Sequence, residues 1–468
     1  MADVDVIVLG GGPVGENAAD YAVRAGLSAL IVESELLGGE CSFWACIPSK
    51  TLLRTGHAVA AVRRLPGTTV DFDPAAVLAR RDSFTHDWDD ESQVQWATGA
   101  GIRVLRGKGR LVGERAVEVD GPAGRETLVA RRAVVVCTGS VPTTPPVPGL
   151  DGVRTWGSRE ATSAKEIPPR LGVLGGGVVG CEMAQAFQRL GSQVVLLQRG
   201  PRLLPAMEPF AGERVAAAMR EEGVDVRLQQ SLESVAPAGD QIELRTSDGP
   251  VVVDELLVAT GRRPNTSSIG VEALGLESGK PLAVDDSGLV QGVPGQWLYA
   301  AGDVTGRALL THQGKYAGRI VGAVIGARAS GEELDSRPWG EHVATADHVA
   351  VPQVVFTDPE VASAGRTEAQ ARAAGLDVRV VDIPIAVAGS SLQADDYDGA
   401  ARIVVDTARG ILVGATFVGQ DVAEMIHAAT IAIVGEVPLD RLWHAVPAFP
   451  TMSEVWLRLL ETYRSGSG

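Results

Sequence analysis

Two stretches of this chain repeat one arrangement of apolar and polar positions. An apolar run, Val4 to Leu9, ends in Gly10-Gly11-Gly12-Pro13-Val14-Gly15, and an amphipathic stretch then leads to a second apolar run, Leu30-Ile31-Val32. At an offset of 165 residues, Leu171 to Leu174 leads without a gap into Gly175-Gly176-Gly177-Val178-Val179-Gly180 and closes on Val195-Leu196-Leu197. Each pattern predicts strand, glycine turn, helix and strand, the setting in which G-x-G-x-x-G receives a dinucleotide. The first glycine makes the tight turn and the second lets backbone approach a pyrophosphate. The third lets the helix pack on the strand, with its N-terminus facing the negative charge. Later in the chain, alternation predicts strands over Arg402 to Asp406 and Ile411 to Val418, and a helix from Val422 to Val434. The polar stretch Ser330 to Asp347 predicts a linker.

The acid expected about 20 residues after the turn separates the two copies. Glu33 ends the second strand of the first copy, placed to accept hydrogen bonds from a ribose diol. The aligned residue of the second copy is Gln198, followed by Arg199 and then Arg202. Losing the carboxylate removes repulsion toward a 2′-phosphate, and a guanidinium can bind one bidentately. The first site is therefore expected to take an unphosphorylated adenosine ribose, as in FAD or NAD, and the second leans to NADPH over NADH.

Composition narrows the partners. The 468 residues suggest about three domains. The formal net charge of -16 repels a phosphate backbone, which argues against nucleic acid. The opening residues have no basic segment and run straight into glycines, so they are expected to be a strand and not a signal peptide. No apolar stretch reaches a membrane-spanning length, and four cysteines in so long a chain argue against a secreted disulfide scaffold. A cytoplasmic protein is the expectation.

Two of those cysteines stand close together, in Gly38-Gly39-Glu40-Cys41-Ser42-Phe43-Trp44-Ala45-Cys46-Ile47-Pro48-Ser49-Lys50. The spacing is wrong for a zinc ribbon and no second ligand pair exists, so no metal is assigned. In an undistorted helix, Cα atoms five residues apart lie about 8–9 Å from each other, beyond the roughly 7 Å that a disulfide spans. Bonding would need a distorted turn, which Gly38, Gly39 and Pro48 favour. A close pair in a cytosolic chain points to redox chemistry more than to a structural staple. Cys137 and Cys181 are expected to be core.

Gly-Gly-x-Cys-x4-Cys-Ile-Pro-Ser-Lys after a dinucleotide fingerprint resembles the pyridine nucleotide–disulfide oxidoreductase family, whose members include dihydrolipoamide dehydrogenase, glutathione reductase and mercuric reductase. The resemblance runs essentially the whole chain. Val136-Cys137-Thr138-Gly139 and Val258-Ala259-Thr260-Gly261-Arg262-Arg263-Pro264-Asn265 resemble the family's two Thr-Gly strand ends. Ala300-Ala301-Gly302-Asp303-Val304 resembles its second FAD motif, and Phe356-Thr357-Asp358-Pro359-Glu360-Val361-Ala362 the start of its dimerisation domain. The resemblance implies an α/β fold with two Rossmann-like dinucleotide-binding domains and an α+β C-terminal dimerisation domain. The implied boundaries are 1–150 and 269–345 for FAD, 151–268 for NAD(P)H and 346–468 for the interface of a homodimer. It assigns Gly10, Gly12, Pro13, Gly15, Glu33, Gly39, Lys50, Thr138, Gly139, Gly302 and Asp303 to FAD, with Asp303 on the ribityl chain. Gly175, Gly177, Val178, Gly180, Gln198, Arg199 and Gly261 fall to NAD(P)H. Cys46 would face the flavin as the charge-transfer thiolate, Cys41 would be the interchange thiol, and Lys50 and Glu182 would form an ion pair beside the flavin.

One departure bears on the reaction. Relatives that reduce small disulfides carry a C-terminal His-Pro-Thr-x-Ser-Glu that serves the partner subunit's thiols. Here Ala448-Phe449-Pro450-Thr451-Met452-Ser453-Glu454 keeps Glu454 and replaces the histidine by Phe449. Positioned acid–base catalysis is worth about 10²–10⁴-fold, so ordinary dithiol–disulfide exchange should fall by that factor. His444, a little upstream, is the one candidate substitute, and a framework role fits it better. No cysteine follows position 181, which argues against mercury reduction of the kind that uses a C-terminal cysteine pair. Phe43 and Trp44 would either line a flat apolar acceptor site or pack against Phe449 and shut it. Three readings stay open: an NADPH-dependent reductase of a disulfide; a flavoenzyme passing electrons to a quinone, dye, metal ion or oxygen; and a flavin and thiol redox sensor without turnover.

Overall fold

The computed structural model describes residues 4–466, which form two compact units, each built from three stretches of chain. The first takes the residues up to Pro48, Asp82–Thr143 and Arg262–His348; the second takes Ser49–Arg81, Thr144–Gly261 and the residues from Val349 on.

In the first unit the leading apolar run is strand β1 (Val4–Leu9), the glycine turn starts helix α1 (Pro13–Arg24), and the next apolar run is β2 (Ala29–Glu33). All three expected elements form, because both faces of β1 and β2 are buried and α1 turns Ala18, Ala19 and Ala22 inward. The sheet runs in the order Ile102–Arg106, β2, β1, Gly124–Val136, Ala116–Gly121, Lys108–Gly113, with Leu298–Ala300 also paired to Gly124–Val136. Register matters most for function. Leu9 lies beside Val32 and Val136, and Ala300 lies beside Val136, all in parallel pairs. Residues that follow these strands therefore emerge along one sheet edge, the carboxyl edge at which open α/β sheets bind ligands.

Helix Thr311–Ser330 lies across α1 and carries glycine at every fourth position, Gly314, Gly318, Gly322 and Gly326. A Cβ on Gly318 would stand 2.6 Å from the Val14 carbonyl oxygen, and one on Gly322 would stand 2.8 Å from that of Ala18. The stripe lets the two backbones touch, which draws the start of Thr311–Ser330 against the first glycine turn.

The second unit repeats the strand–turn–helix pattern with Arg170–Leu174, Val178–Leu190 and Gln193–Gln198, in a parallel sheet completed by Asp225–Leu228 and Glu255–Val258. A five-stranded antiparallel sheet follows, in the order Pro352–Val355, Glu360–Gly365, Ile411–Gly419, Ala400–Asp406, Val378–Pro384. It contains both strands expected from alternation. The helix expected from Val422 begins as a short tight turn at Ala423–Met425 and becomes α-helical over Ile426–Val434.

A charge cluster ties this unit together. The Asp358 carboxylate accepts from Arg64 Nη2 at 2.7 Å and Arg189 Nη2 at 2.8 Å, while Gln185 pairs with the Asp358 backbone at both ends of its amide. Burial pushes the Asp358 carboxyl up, but the Arg189 and Arg64 guanidinia outweigh it and hold the group below its usual range. A depressed carboxyl adds stability above its unfolded pKa of about 3.9 and loses it as pH falls through the folded value. Asp358→Asn is therefore expected to lower stability at pH 7 by about 3–5 kcal/mol, the cost of breaking a buried pair. The deficit should shrink toward pH 3. Melting curves of both proteins from pH 7 downward check this; a gap that stays constant would mean that packing, not charge, holds the cluster.

Candidate active site

The two glycine turns prove alike in atomic detail. In the first, the Gly10 N–H donates to Val32 and the Cys137 N–H to Leu9; in the second, the Gly175 N–H donates to Leu197 and the Ala259 N–H to Leu174. A Cβ on Gly15 would lie 2.0 Å from the Gly10 oxygen, and one on Gly180 would lie 1.8 Å from the Gly175 oxygen. No other residue fits these positions without moving the helix. By contrast, a Cβ on Gly12 would meet nothing closer than 3.9 Å and one on Gly177 nothing within 4 Å, so both helix starts, at Pro13 and Val178, open onto unfilled space.

The acid position also corresponds. Glu33 is buried, with Oε2 accepting from the Gly11 N–H at 2.7 Å and Oε1 from the Glu35 N–H at 2.7 Å. Gln198 repeats the first contact, with Oε1 accepting from the Gly176 N–H at 3.1 Å and Nε2 donating to the Arg202 carbonyl. Arg199 is exposed beside it. At the shared edge of the first unit, Thr138 Oγ1 donates to the Asn265 carbonyl and Gly139 takes a left-handed φ of 70°. Gly302 (φ 80°) and Asp303 follow the neighbouring strand Leu298–Ala300, and Gly261 (φ 131°) follows Glu255–Val258 in the second unit. A glycine-lined helix start, the buried Glu33 and the half-buried Asp303 at the sheet edge fit the pyrophosphate, ribose and ribityl groups of FAD in the first unit.

The cysteine pair does not lie in one helix. Cys41 sits in α2 (Gly39–Phe43), which Gly38 (φ 106°) and Gly39 (φ 58°) launch and Trp44 (φ -138°) ends, while Cys46 opens α3 (Cys46–Arg63). The distortion expected of the pair is thus a break between two helices, and Pro48 falls in the first turn of α3, where its missing N–H costs nothing. Both cysteines are half-buried, and Cys46 Sγ lies 3.3 Å from Thr311 Oγ1, at the start of the glycine-striped helix. Phe43 is turned into the core at 1% exposure, so it lines no acceptor surface; Trp44 is half-buried. Cys137 and Cys181 are fully buried, and burial pushes the Cys137 thiol up to about 12.

Sequence reading missed a chain of contacts next to Cys41. Arg262 donates through Nη2 to Glu40 Oε2 and, at 2.7 Å, to the Ser140 carbonyl, and through Nε to Ser140 Oγ at 2.7 Å. Ser140 Oγ in turn donates to Asp303 Oδ2 at 2.6 Å. Burial raises the Asp303 carboxyl against the pull of Ser140 and Arg262. One guanidinium thereby links the residue beside Cys41, through Ser140, to Asp303.

In the second unit, Lys50 Nζ donates to Glu182 Oε2 at 2.7 Å, and the other carboxylate oxygen accepts from the Phe356 N–H at 2.9 Å. Lys50 Nζ also stands 5.0 Å over the Phe356 ring. Glu182 is buried with both oxygens hydrogen-bonded, one to Lys50 and one to the Phe356 backbone. At the C-terminal segment, Phe449 is 75% exposed and Glu454 only 8%. Arg458 Nη2 donates to Glu454 Oε1 at 2.6 Å; among the described residues, Oε2 is buried with no hydrogen-bond partner. His444 is exposed. Among the described residues, no group of three or more His, Cys, Asp or Glu could hold a metal, and no helix is long and apolar enough to cross a membrane.

Comparison with known proteins gives two family matches. Residues 4–327 match the family described as pyridine nucleotide-disulphide oxidoreductase, and residues 351–459 match its dimerisation domain, which implies a homodimer. Dihydrolipoyl dehydrogenase of Chlorobaculum tepidum is 32% identical over 466 residues, covering 97% of this chain and 95% of the relative. Mercuric reductase of Acidithiobacillus ferrooxidans is 32% identical over 460 residues, covering 97% of this chain and 81% of the relative. Among solved structures, the HOCl-induced flavoprotein disulfide reductase RclA from Escherichia coli superposes with a TM-score of 0.81 at 27% identity, covering 98% of this chain and 99% of that one. Its Cu(II) complex gives a TM-score of 0.83 at 26% identity over the same shares.

Proposed function

Because this chain belongs to the pyridine nucleotide-disulphide oxidoreductase family of FAD-dependent enzymes, we propose that it draws electrons from NADPH through FAD and the Cys41–Cys46 pair to an acceptor whose reduction needs no positioned proton. Bound FAD supplies two-electron chemistry between a nicotinamide and a disulfide. In this proposal Gly10, Gly12, Pro13, Gly15, Glu33, Gly39, Thr138, Gly139, Gly302 and Asp303 hold FAD within 1–150 and 269–345. Gly175, Gly177, Val178, Gly180, Gln198, Arg199 and Gly261 hold NADPH within 151–268, and 346–468 makes the dimer contact. Cys46 faces the flavin, Cys41 meets the acceptor, and Lys50 with Glu182 tunes the flavin's electronics.

The carrying observation is Phe449. An exposed phenyl stands where disulfide-reducing relatives hold a histidine, and the retained Glu454 is engaged by Arg458. A phenyl has no proton to give, and a guanidinium does not release its own. A metal ion or a quinone takes electrons without an acid positioned at a departing sulfur. The Cu(II) complex of RclA supports the metal ion as the first acceptor class to screen.

Anaerobic titration with NADPH tests the relay. A long-wavelength charge-transfer band after two electrons is expected, and Cys46→Ser should abolish it. Simple bleaching of the flavin in the unmodified protein would mean that electrons stop at FAD. For the missing base, Phe449→His should raise turnover of a lipoamide-type disulfide by about tenfold or more, up to the roughly 10²–10⁴-fold of a placed base. If that gain is absent while the band is intact, the acceptor site is closed to disulfides for a reason other than proton supply. For nucleotide choice, Arg199→Ala should raise the KM for NADPH about tenfold, the worth of one charge-assisted contact, and leave that for NADH unchanged. Equal effects on both would remove Arg199 from 2′-phosphate recognition.

A further inference from the structure

Three consecutive residues without a glycine, His86 (φ 50°), Asp87 (φ 51°) and Trp88 (φ 61°), take the left-handed backbone conformation. L-residues visit it singly as a rule, and it strains each of them. A run of three persists only where surrounding contacts impose it. Here the turn is closed by the Trp88 N–H to Thr85 and the Asp89 N–H to His86, and it opens onto helix Glu91–Gly99.

One contact of Trp88 and one of the adjoining Asp90 fall on the same short segment. Trp88 Nε1 donates to the Phe43 carbonyl at 3.0 Å, at the end of α2, and Asp90 Oδ2 accepts from the Leu37 N–H at 2.5 Å, just before α2 begins. Arg106 steadies the same carboxylate at 2.5 Å and also donates to the Glu35 carbonyl. Between these two points lie Gly38, Gly39, Glu40, Cys41 and Ser42. Residues 38 and 39 are both glycine in positive φ, so the backbone entering α2 resists little. A five-residue helix gains too few internal hydrogen bonds to hold itself. The orientation of Cys41 must come from outside, and the strained turn grips both ends of its segment.

We propose that the left-handed turn His86–Trp88 and the adjoining Asp90 form a two-point clamp that positions Cys41, with Trp88 and Asp90 as positioning residues. The inference rests on the reading above only in taking Cys41 as the thiol that meets the acceptor. With the clamp intact, Cys41 is held half-buried; with either grip removed, α2, still anchored by the Phe43 ring and the Arg262–Glu40 pair, loosens at that end and the thiol becomes more accessible. Trp88→Phe is the sharpest change, because it keeps a ring and removes the N–H. Asp90→Ala releases the other end.

The test follows alkylation by iodoacetamide, cysteine by cysteine, in the FAD-loaded full chain reduced with dithiothreitol and then freed of it, read by mass spectrometry. Trp88→Phe and Asp90→Ala should each raise the Cys41 rate by about 2- to 10-fold, the leverage of one hydrogen bond. The buried Cys137 and Cys181 should stay as slow as before. Asp87→Gly, which relieves one left-handed residue, should raise the melting temperature and leave the Cys41 rate unchanged. An unaltered Cys41 rate in both Trp88→Phe and Asp90→Ala overturns the clamp, as does a parallel rise at all three cysteines, which would signal general loosening. Reduction by NADPH in place of dithiothreitol separates the two proposals. If NADPH fails to expose a reactive Cys41 in the unmodified protein, the electron relay falls, whereas the dithiothreitol comparison still judges the clamp.

Discussion

One turn of helix cannot define its own place in a protein, since helix nucleation fixes several dihedrals for each hydrogen bond it gains. Cys41 sits in such a turn, entered through two glycines in positive φ. Whatever chemistry the cysteine performs depends on how neighbouring parts of the first unit hold α2. The Phe43 ring is sunk in the core, Arg262 binds Glu40, and the turn at 86–90 reaches both ends. The backbone cost of that turn, about 1–2 kcal/mol for each left-handed residue, is substantial beside a typical folding stability of 5–15 kcal/mol. Such strain survives where the geometry it enforces is used.

Arg262 extends the same constraint to the cofactor edge. A guanidinium offers five donors in a fixed plane, and here three of its contacts run to Glu40, the Ser140 hydroxyl and the Ser140 carbonyl. Ser140 passes the tie to Asp303, whose carboxyl is raised by burial despite the pull of Ser140 and Arg262. The cysteine segment and the proposed ribityl acid therefore share one rigid anchor. A lysine in that place could supply the charge but not the planar fork.

The sequence made legible what depends on local geometry. Both glycine turns could be read because the Gly10–Gly15 and Gly175–Gly180 approaches leave no room for a Cβ, a demand written into residue type. The contrast of Glu33 with Gln198 was visible for the same reason, and the structure gives the two side chains matching contacts to Gly11 and Gly176. Contacts between distant positions were not legible. Arg262 and Glu40 are 222 residues apart, and Thr311 reaches Cys46 only because the glycine stripe seats its helix against α1. The left-handed run carries no glycine to announce it, so His86-Asp87-Trp88 reads as ordinary polar sequence with one aromatic. Phe43 belongs to the core at 1% exposure, which nothing in its immediate sequence distinguishes from a ring at the surface.

Glu182 and Glu454 are both buried, and their surroundings differ. Glu182 is buried with each oxygen bonded, one to an ammonium and one to a backbone N–H, so the carboxylate is held in place at both oxygens. Glu454 is buried nearly as deeply, yet Arg458 meets one oxygen and no described residue meets the other. An unmet buried acceptor is costly, and Phe449, largely exposed, has no donor to offer. Glu182 is thus held at both oxygens, whereas Glu454 is balanced at one oxygen by the guanidinium four residues on and has, among the described residues, no donor at the other.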